Sequence, residues 1–362
     1  MVAELTVERP VLDHAKTEAF FGKVMGDLSG MISSWLVGIG DRYGLFADLA
    51  RRGPATAAEL ASRSGIDDHY AREWLAAMAS AGYVEYDPAT RRFALPPEHA
   101  MVVSQEGSPF FVGGFFQQFR ALCRVSDRVA DAFADGKGVP ISAYDEDWFG
   151  GMERNTSAWF DNFLVQQWLL AMPDVQTRLE RGALVADVGC GRGRALIRLA
   201  EAFPHSQFVG YDLVADSVEY AAASAADAGV ADRVRFEVRN IEGGLSERYD
   251  VVTAFDVVHD AAHPVSFLRA IRQALKPDGI FACLDFNSAE TIEGNAGPVG
   301  TFLHGSSIAY CMTTALAEGG EGLGAAGLPE SKLRSLGAEA GFSDFRRVPI
   351  ENPFNNLYEL RP

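Results

Sequence analysis

The chain has 362 residues, 48% of them hydrophobic and 22% charged, and a formal net charge of −17. This is an ordinary globular composition, long enough for two or three domains. The acidity repels nucleic acid and anionic membranes, and no apolar run reaches membrane length. Met1 to Pro10 lacks the basic and apolar regions of a signal peptide. Cys123, Cys190, Cys283 and Cys311 show no paired spacing, and three of them sit in apolar stretches. They are expected to be reduced thiols of a cytoplasmic protein.

In chain order, His14 to Ala50 reads as two long helices. Phe20, Phe21, Val24, Met25 and Leu28 form one apolar stripe, and Trp35, Leu36, Ile39 and Leu45 a second. Such a pair ahead of an α/β domain is expected to serve a homodimer interface. Pro54 to Leu95 has the pattern of a winged helix-turn-helix. Thr56-Ala-Ala-Glu59 is a capping box, Ser64 to Asp67 a turn, and a second helix starts at Asp68. Tyr83 to Tyr86 and Arg92 to Leu95, joined by Asp87-Pro-Ala-Thr90, form the wing. Winged modules bind DNA through the second helix. Here that helix opens Asp67-Asp68-His69-Tyr70 and is not basic, so a structural role is expected. Glu98 to Gly182 is predicted to be helical and is rich in aromatics. Tyr144, Trp148, Phe160 and Phe163 are candidates for an apolar ligand pocket.

From Ala183 onward the pattern is a doubly wound α/β fold. Leu184 to Val188 is a buried strand. It ends in Gly189-Cys190-Gly191-Arg192-Gly193 and feeds a helix with Leu196, Ile197, Leu199, Ala200 and Phe203 inward, stopped by Pro204. Phe208 to Tyr211 is the next strand and ends at Asp212. A helix over Ser217 to Ala228, strands at Val234 to Val238 and Asp250 to Phe255, and a helix opened by Pro264 follow. Lys276 to Gly279 is expected to turn into a strand at Ile280 to Phe286. Phe345 to Pro349 and Phe354 to Leu360 complete an antiparallel hairpin. The expected domains are residues 1–100, helical and winged; 101–182, a helical linker and lid; and 183–362, the α/β domain.

The glycine spacing restricts the ligand. A dinucleotide site wants G-x-G-x-x-G, but the third glycine position is Arg194, and an acid, Asp187, precedes the turn. A carboxylate there repels a pyrophosphate and suits a ligand with an ammonium group. S-adenosylmethionine (SAM), a phosphate-free nucleoside with a sulfonium and an amino acid end, meets that description. Asp212, 25 residues downstream, stands where a ribose-binding acid is expected.

Asp187-Val-Gly-Cys-Gly-Arg-Gly193 with Asp212 resembles the SAM site of class I methyltransferases, whose catalytic domain is Rossmann-like. The resemblance implies that Asp187, Gly189, Cys190, Gly191, Gly193, Asp212 and Leu213 hold the cofactor. It adds Asn240 and Ile241 beside the adenine and Phe255 at the exit of the fourth strand. The order of wing, helical linker, SAM site and His259-Asp260 is similar to the winged-helix small-molecule O-methyltransferases. Their base is the His of this pair, usually followed by Trp, where Ala261 stands here. An imidazole with a pKa of roughly 6.5 suits removal of the acceptor's proton.

Nearly the whole chain resembles bacterial winged-helix methyltransferases of the mycobacterial type. The matching text includes Gly138-Val-Pro140 to Tyr144, Phe255 to Pro264, Gly319-Gly-Glu-Gly-Leu-Gly324 and Pro353 to Tyr358. Members bind SAM and are generally dimeric. The expected reaction is methylation of a small aromatic or phenolic acceptor at oxygen or carbon, with His259 and Asp260 catalytic.

Iron-containing C-methyltransferases of the phenylpyruvate type use a His-Asp pair and a later His. Here that later position is Tyr310, with His304 six residues earlier, and both are candidate substrate contacts. A site of His259, Asp260 and Tyr310 is a poor iron site by the 2-His-1-carboxylate rule, so no metal is expected. The Gly319 to Gly327 stretch reads as a solvated loop, with coverage of the substrate as the alternative. Alternative functions are a SAM-responsive transcription regulator, a metal-assisted C-methyltransferase of an aromatic amino or keto acid, and a SAM-binding relative with another reaction.

Overall fold

The computed structural model describes residues 12–362. The reading of Met1 to Pro10 as a segment without a leader lies outside them. The chain divides into two compact units, one reaching Gln105 and the other spanning Glu106–Pro362.

In the first unit α1 (His14–Arg42) is long, but the second expected long helix is not. Gly44 takes a left-handed φ of 64° and breaks the chain, so α2 (Leu45–Arg52) has only eight residues. The capping box opens α3 (Ala57–Ser64), with both of its reciprocal hydrogen bonds made. In α4 (Asp68–Ser80), Trp74 donates its Nε1–H to Leu36 O at 2.9 Å. Gly40 of α1 lies against that indole, and a Cβ there would stand 2.3 Å from the ring. The wing is β1 (Glu85–Asp87) paired antiparallel with β2 (Arg92–Ala94), and α5 (Pro97–Val103) follows. The Arg92 guanidinium holds Glu59 at 2.7 Å and Pro54 O at 2.8 Å. Along α1, Phe20, Phe21, Met25, Leu28, Met31, Ile32 and Trp35 are exposed.

The second unit begins with α6 (Gly113–Asp135) and α7 (Glu146–Trp159). They meet at two glycines: a Cβ on Gly114 would stand 2.1 Å from Gly151 O. From α7 the chain passes without a break into a π-helix (Phe160–Trp168), then into α8 (Pro173–Arg181). Seven strands then build one sheet: β3 (Leu184–Val188), β4 (Gln207–Asp212), β5 (Val234–Val238), β6 (Tyr249–Phe255), β7 (Leu275–Phe286), β8 (Asp344–Val348) and β9 (Asn355–Arg361). Their order is β5-β4-β3-β6-β7-β9-β8; β3 to β7 run parallel, and β9 is antiparallel to β7 and β8.

Helices α9 (Arg194–Ala202), α10 (Ala215–Asp227), α11 (Pro264–Ala274) and α14 (Glu330–Ala340) accompany the sheet. Leu196 and Leu199 of α9 join one core cluster, while Leu268 and Ile271 of α11 and Leu333 of α14 join another. A parallel sheet needs both faces covered in this way. The expected turn at Lys276 to Gly279 is instead part of β7. Pairing with β6 jumps from Tyr249↔Leu275 to Val251↔Ile280, so these four residues bulge out of register. Between β7 and α14 lie α12 (Pro298–Ser306), a π-helix (Ser307–Cys311) and α13 (Met312–Ala317). Among the described residues no helix is long and apolar enough to cross a membrane.

Candidate active site

Strand β3 delivers the chain to Gly189, where the amides of Gly189 and Cys190 both donate to Tyr211 O of β4. The glycines of this turn do two jobs. A Cβ on Gly189 would lie 2.1 Å from Val257, and one on Gly193 would lie 2.6 Å from Phe236, so these two permit close packing. Gly191, at φ 51°, faces open space. Its backbone is bare, and its N–H donates to Asp212 Oδ2 at 2.8 Å. Asp212 Oδ1 accepts from Val214 N at 2.9 Å. Asp187 is buried and accepts from Thr253 Oγ1 at 2.6 Å. Burial pushes its carboxyl up to about 7, and that of Asp212 upward too.

The loop is braced from outside. Arg192 lies over the Tyr220 ring at 4.3 Å and pairs with Glu146 and Glu153 of α7. Arg194 and Arg198 of α9 both grip Asp161 of the π-helix, through Nε at 2.8 and 2.6 Å.

The second half of the site stands at the ends of β6 and β7. A 3₁₀ turn, Val258–Asp260, presents His259, which is 2% exposed. Its Nδ1–H donates to Asp285 Oδ1 at 2.7 Å, the direction following from a carboxylate that only accepts. On the far side, Nε2 stands 3.1 Å from Asp260 Oδ1, close enough for charge attraction but out of hydrogen-bond alignment. Burial opposes charge on the ring, but Asp260 and then Asp285 outweigh it and hold the imidazole's pKa well above its usual value. The Phe286 ring covers His259 at 4.8 Å between centroids.

Asp256, just after β6, has a left-handed φ of 55°, a strained conformation for a non-glycine residue. Asn355 Nδ2–H donates to its Oδ1 at 2.5 Å. Tyr310 packs against Trp148 at 4.5 Å with the rings tilted by 33°, and meets Tyr144 edge-on at 4.9 Å. The Tyr144 hydroxyl donates to Ala309 O at 2.5 Å.

The glycine-rich stretch after α13 is not free in solvent. Glu321 N donates to Ala262 O at 2.8 Å and Gly324 N to His259 O at 3.1 Å. A Cβ on Gly320 would lie 2.4 Å from Ala262 O. The stretch therefore seats directly on the turn that carries His259.

The sequence candidates thus fall into separate groups. Asp187, Gly189, Cys190, Gly191, Gly193 and Asp212 come together around one turn. Leu213 is exposed beside it. Asn240 caps the next short turn through its Oδ1 and the Glu242 amide, and Ile241 is buried under it. Tyr144, Trp148 and Tyr310 form one aromatic cluster. Phe160 and Phe163 do not join it; partly buried, they pack with Trp168, and Phe160 also meets Phe255 at 5.4 Å.

His304 is exposed on α12. Among the described residues the one close set of three metal-capable side chains is His259, Asp260 and Cys311, with ligand atoms within 4.8 Å of one another, and His304 is not in it. Asp285, Asp256 and Cys311 were not foreseen from sequence. Asp285 left a signal: it is a lone acid in the apolar run Ile280 to Phe286 at the carboxyl end of a strand, where ligands of open α/β sheets bind.

Residues 179–305 match the model of a methyltransferase domain. The second unit carries a methyltransferase domain. Residues 31–105 match an Rv2258c-like winged HTH domain, ahead of that methyltransferase domain. The chain is 31% identical over 106 residues to the ubiquinone biosynthesis O-methyltransferase of Cereibacter sphaeroides (strain KD131 / KCTC 12085), covering 29% of this chain and 42% of that protein. It thus spans less than half the length of the curated relatives it matches. The same fold is present in the mitomycin 7-O-methyltransferase MmcR, with a TM-score of 0.71 at 19% identity over 97% of this chain and 100% of that one. Human N-acetylserotonin methyltransferase, solved with SAM, aligns with a TM-score of 0.68 at 16% identity over 98% and 99%.

Proposed function

We propose that the chain is a SAM-dependent methyltransferase acting on a small, aromatic acceptor, with His259 as the base. The observation that carries this reading is the pairing of a bare, carboxylate-lined glycine turn with a buried His259–Asp285 pair two strands away. The donor set of the turn fits the cofactor. Asp187 and Asp212 offer carboxylates to a cationic, phosphate-free ligand, and Gly191 leaves its backbone open to close approach. When bound, SAM supplies an electrophilic methyl group on its sulfonium.

The residues of the chain do the rest. Asp285 fixes the ring of His259 with Nδ1 as the donor, so that Nε2 faces the acceptor side. In the resting site the ring is charged, clamped between two carboxylates. An acceptor hydroxyl or amine that donates to Asp260 competes for that carboxylate and loosens its hold on the imidazole proton. That proton passes to water as the acceptor enters, and Nε2, then neutral with its lone pair free, takes the acceptor's own proton as the new bond forms. Tyr144, Trp148 and Tyr310 give the pocket an apolar wall, and the glycine-rich stretch over Ala262 keeps water from the turn.

The exposed apolar row on α1 is proposed as the face that a second copy covers, making a homodimer. Titration calorimetry with S-adenosylhomocysteine, the demethylated product, tests the cofactor claim. Binding that Asp212→Ala weakens supports it, and no heat with the wild type overturns it. His259→Ala is expected to keep that affinity and lose turnover.

A further inference from the structure

Four neighbouring strands each carry an acid at or beside the carboxyl end, on the same edge of the sheet: Asp212 closes β4, Asp187 and Asp285 stand one residue before the ends of β3 and β7, and Asp256 follows β6. Adjacent strands lie about 4.8 Å apart, so the row runs well beyond the reach of one small cation. The first two acids line the cofactor turn. Of the other two, Asp285 pairs with His259, as Asp260 does from the far side of the ring, and Asp256 lies within electrostatic reach of all three. The arginines on the cofactor side are committed elsewhere, Arg192 to Glu146 and Glu153, and Arg194 and Arg198 to Asp161.

A second, independent feature lies in the same place. Asn355 is 1% exposed, and its amide nitrogen is spent on Asp256, yet its Oδ1 has no partner. Asp285, also 1% exposed, uses one oxygen on His259 and Phe286 N and leaves Oδ2 unpaired. A buried acceptor with no donor is destabilising, and native proteins keep few of them. Asp285 Oδ2 belongs to the carboxylate that holds the imidazole, Asn355 Oδ1 to the amide that holds Asp256, and the Phe286 ring lies against His259. Carboxylates and aromatic faces together attract organic cations and repel carboxylates and phosphates.

We propose that the methyl acceptor carries an ammonium group, held by Asp256, Asp285 Oδ2 and Asn355 Oδ1. This rests on the methyltransferase reading and narrows its substrate class to aromatic amines with a hydroxyl or second amine as the methylated atom. The ammonium and the methylated atom sit on opposite sides of the His259 ring, the first toward Nδ1 and Asp285, the second toward Nε2 and Asp260. Aromatic carboxylates and keto acids are disfavoured by the same acids.

The test uses the full chain saturated with S-adenosylhomocysteine, whose own heat is recorded first. Matched probes are then titrated: tyramine, 3-(4-hydroxyphenyl)propionate and 4-propylphenol, and the corresponding tryptamine, indole-3-propionate and 3-propylindole. The amine of at least one triple is expected to bind at least about tenfold more tightly than its acid and neutral partners. Asp256→Asn, which keeps an acceptor for Asn355, is expected to remove most of that preference while leaving the neutral probe unchanged. Equal affinity across the triples, preference for an acid, or no amine binding at millimolar concentration overturns the proposal. So does an amine preference that survives in both Asp256→Asn and Asn355→Ser. If S-adenosylhomocysteine itself gives no heat, the methyltransferase reading fails first, and the two failures are told apart.

Discussion

Replacing Asp187 by asparagine is expected to stabilise the ligand-free protein in a pH-dependent way. The folded carboxyl has a pKa of about 7 against 3.8 for an exposed one, because it is buried with a single hydrogen bond from Thr253. Over that window the folded chain keeps a proton that the unfolded chain has released. Stability therefore falls as pH rises from about 4 through 7, by about 4 kcal/mol when the change is complete. Most of that cost falls due between pH 5 and pH 8. Asparagine keeps the acceptor for Thr253 and cannot ionise. Its NH₂ lacks an obvious partner, which offsets the gain by about 1–3 kcal/mol at every pH. The clean quantity is thus the change in the gap between variant and wild type, which should widen by about 2–3 kcal/mol from pH 5 to pH 8. Urea unfolding followed by tryptophan fluorescence at four pH values measures it. A gap independent of pH, or one that widens toward acid, refutes the argument that a buried charge is held there at a cost.

Asp260→Asn removes the negative charge nearest Nε2, so the imidazole gives up its proton more easily. The rising limb of the kcat profile should move to lower pH. Asp285→Asn frees the ring from its fixed tautomer and is expected to lower kcat by about 10²–10⁴ with product-cofactor affinity unchanged in calorimetry. Gly114→Ala places a methyl group against Gly151 O and the Asn155 side chain, and should cost about 1–3 kcal/mol or more in thermal unfolding. Glutamate at Phe21 and Leu28 should convert a dimer to a monomer in sedimentation velocity, with the helix intact by circular dichroism.

Much of this fold is written in local pattern. Leu184–Val188 and Val234–Val238 are strands over those bounds, Thr56 and Glu59 form their box, and Pro264 opens its helix, because burial and capping act over a few residues. The glycine turn with its two acids was legible for the same reason. What escaped depends on contacts far apart in the chain. Asp285 reaches His259 across 26 residues and Asn355 reaches Asp256 across 99, pairings set by strand order. The aromatic stretch divides in a way its spacing did not show. Its helix widens to π geometry at Phe160, which changes the turn-to-turn register, so Phe160 and Phe163, partly buried, pack with Trp168 while Trp148 faces Tyr310. A second π segment, Ser307–Cys311, likewise puts Tyr310 and Cys311 inward and leaves His304 outside.

The amides of Glu321 and Gly324, tied to Ala262 O and His259 O, make the glycine-rich stretch a gauge of how often the site breathes. Each can exchange its hydrogen with solvent only when the stretch lifts away, and lifting uncovers the backbone beside the imidazole at the same moment. Entry of an acceptor from that side and disorder of the base would then be one event. Binding that closes the stretch would restore both together, so turnover and exclusion of bulk water rise and fall on a single local equilibrium.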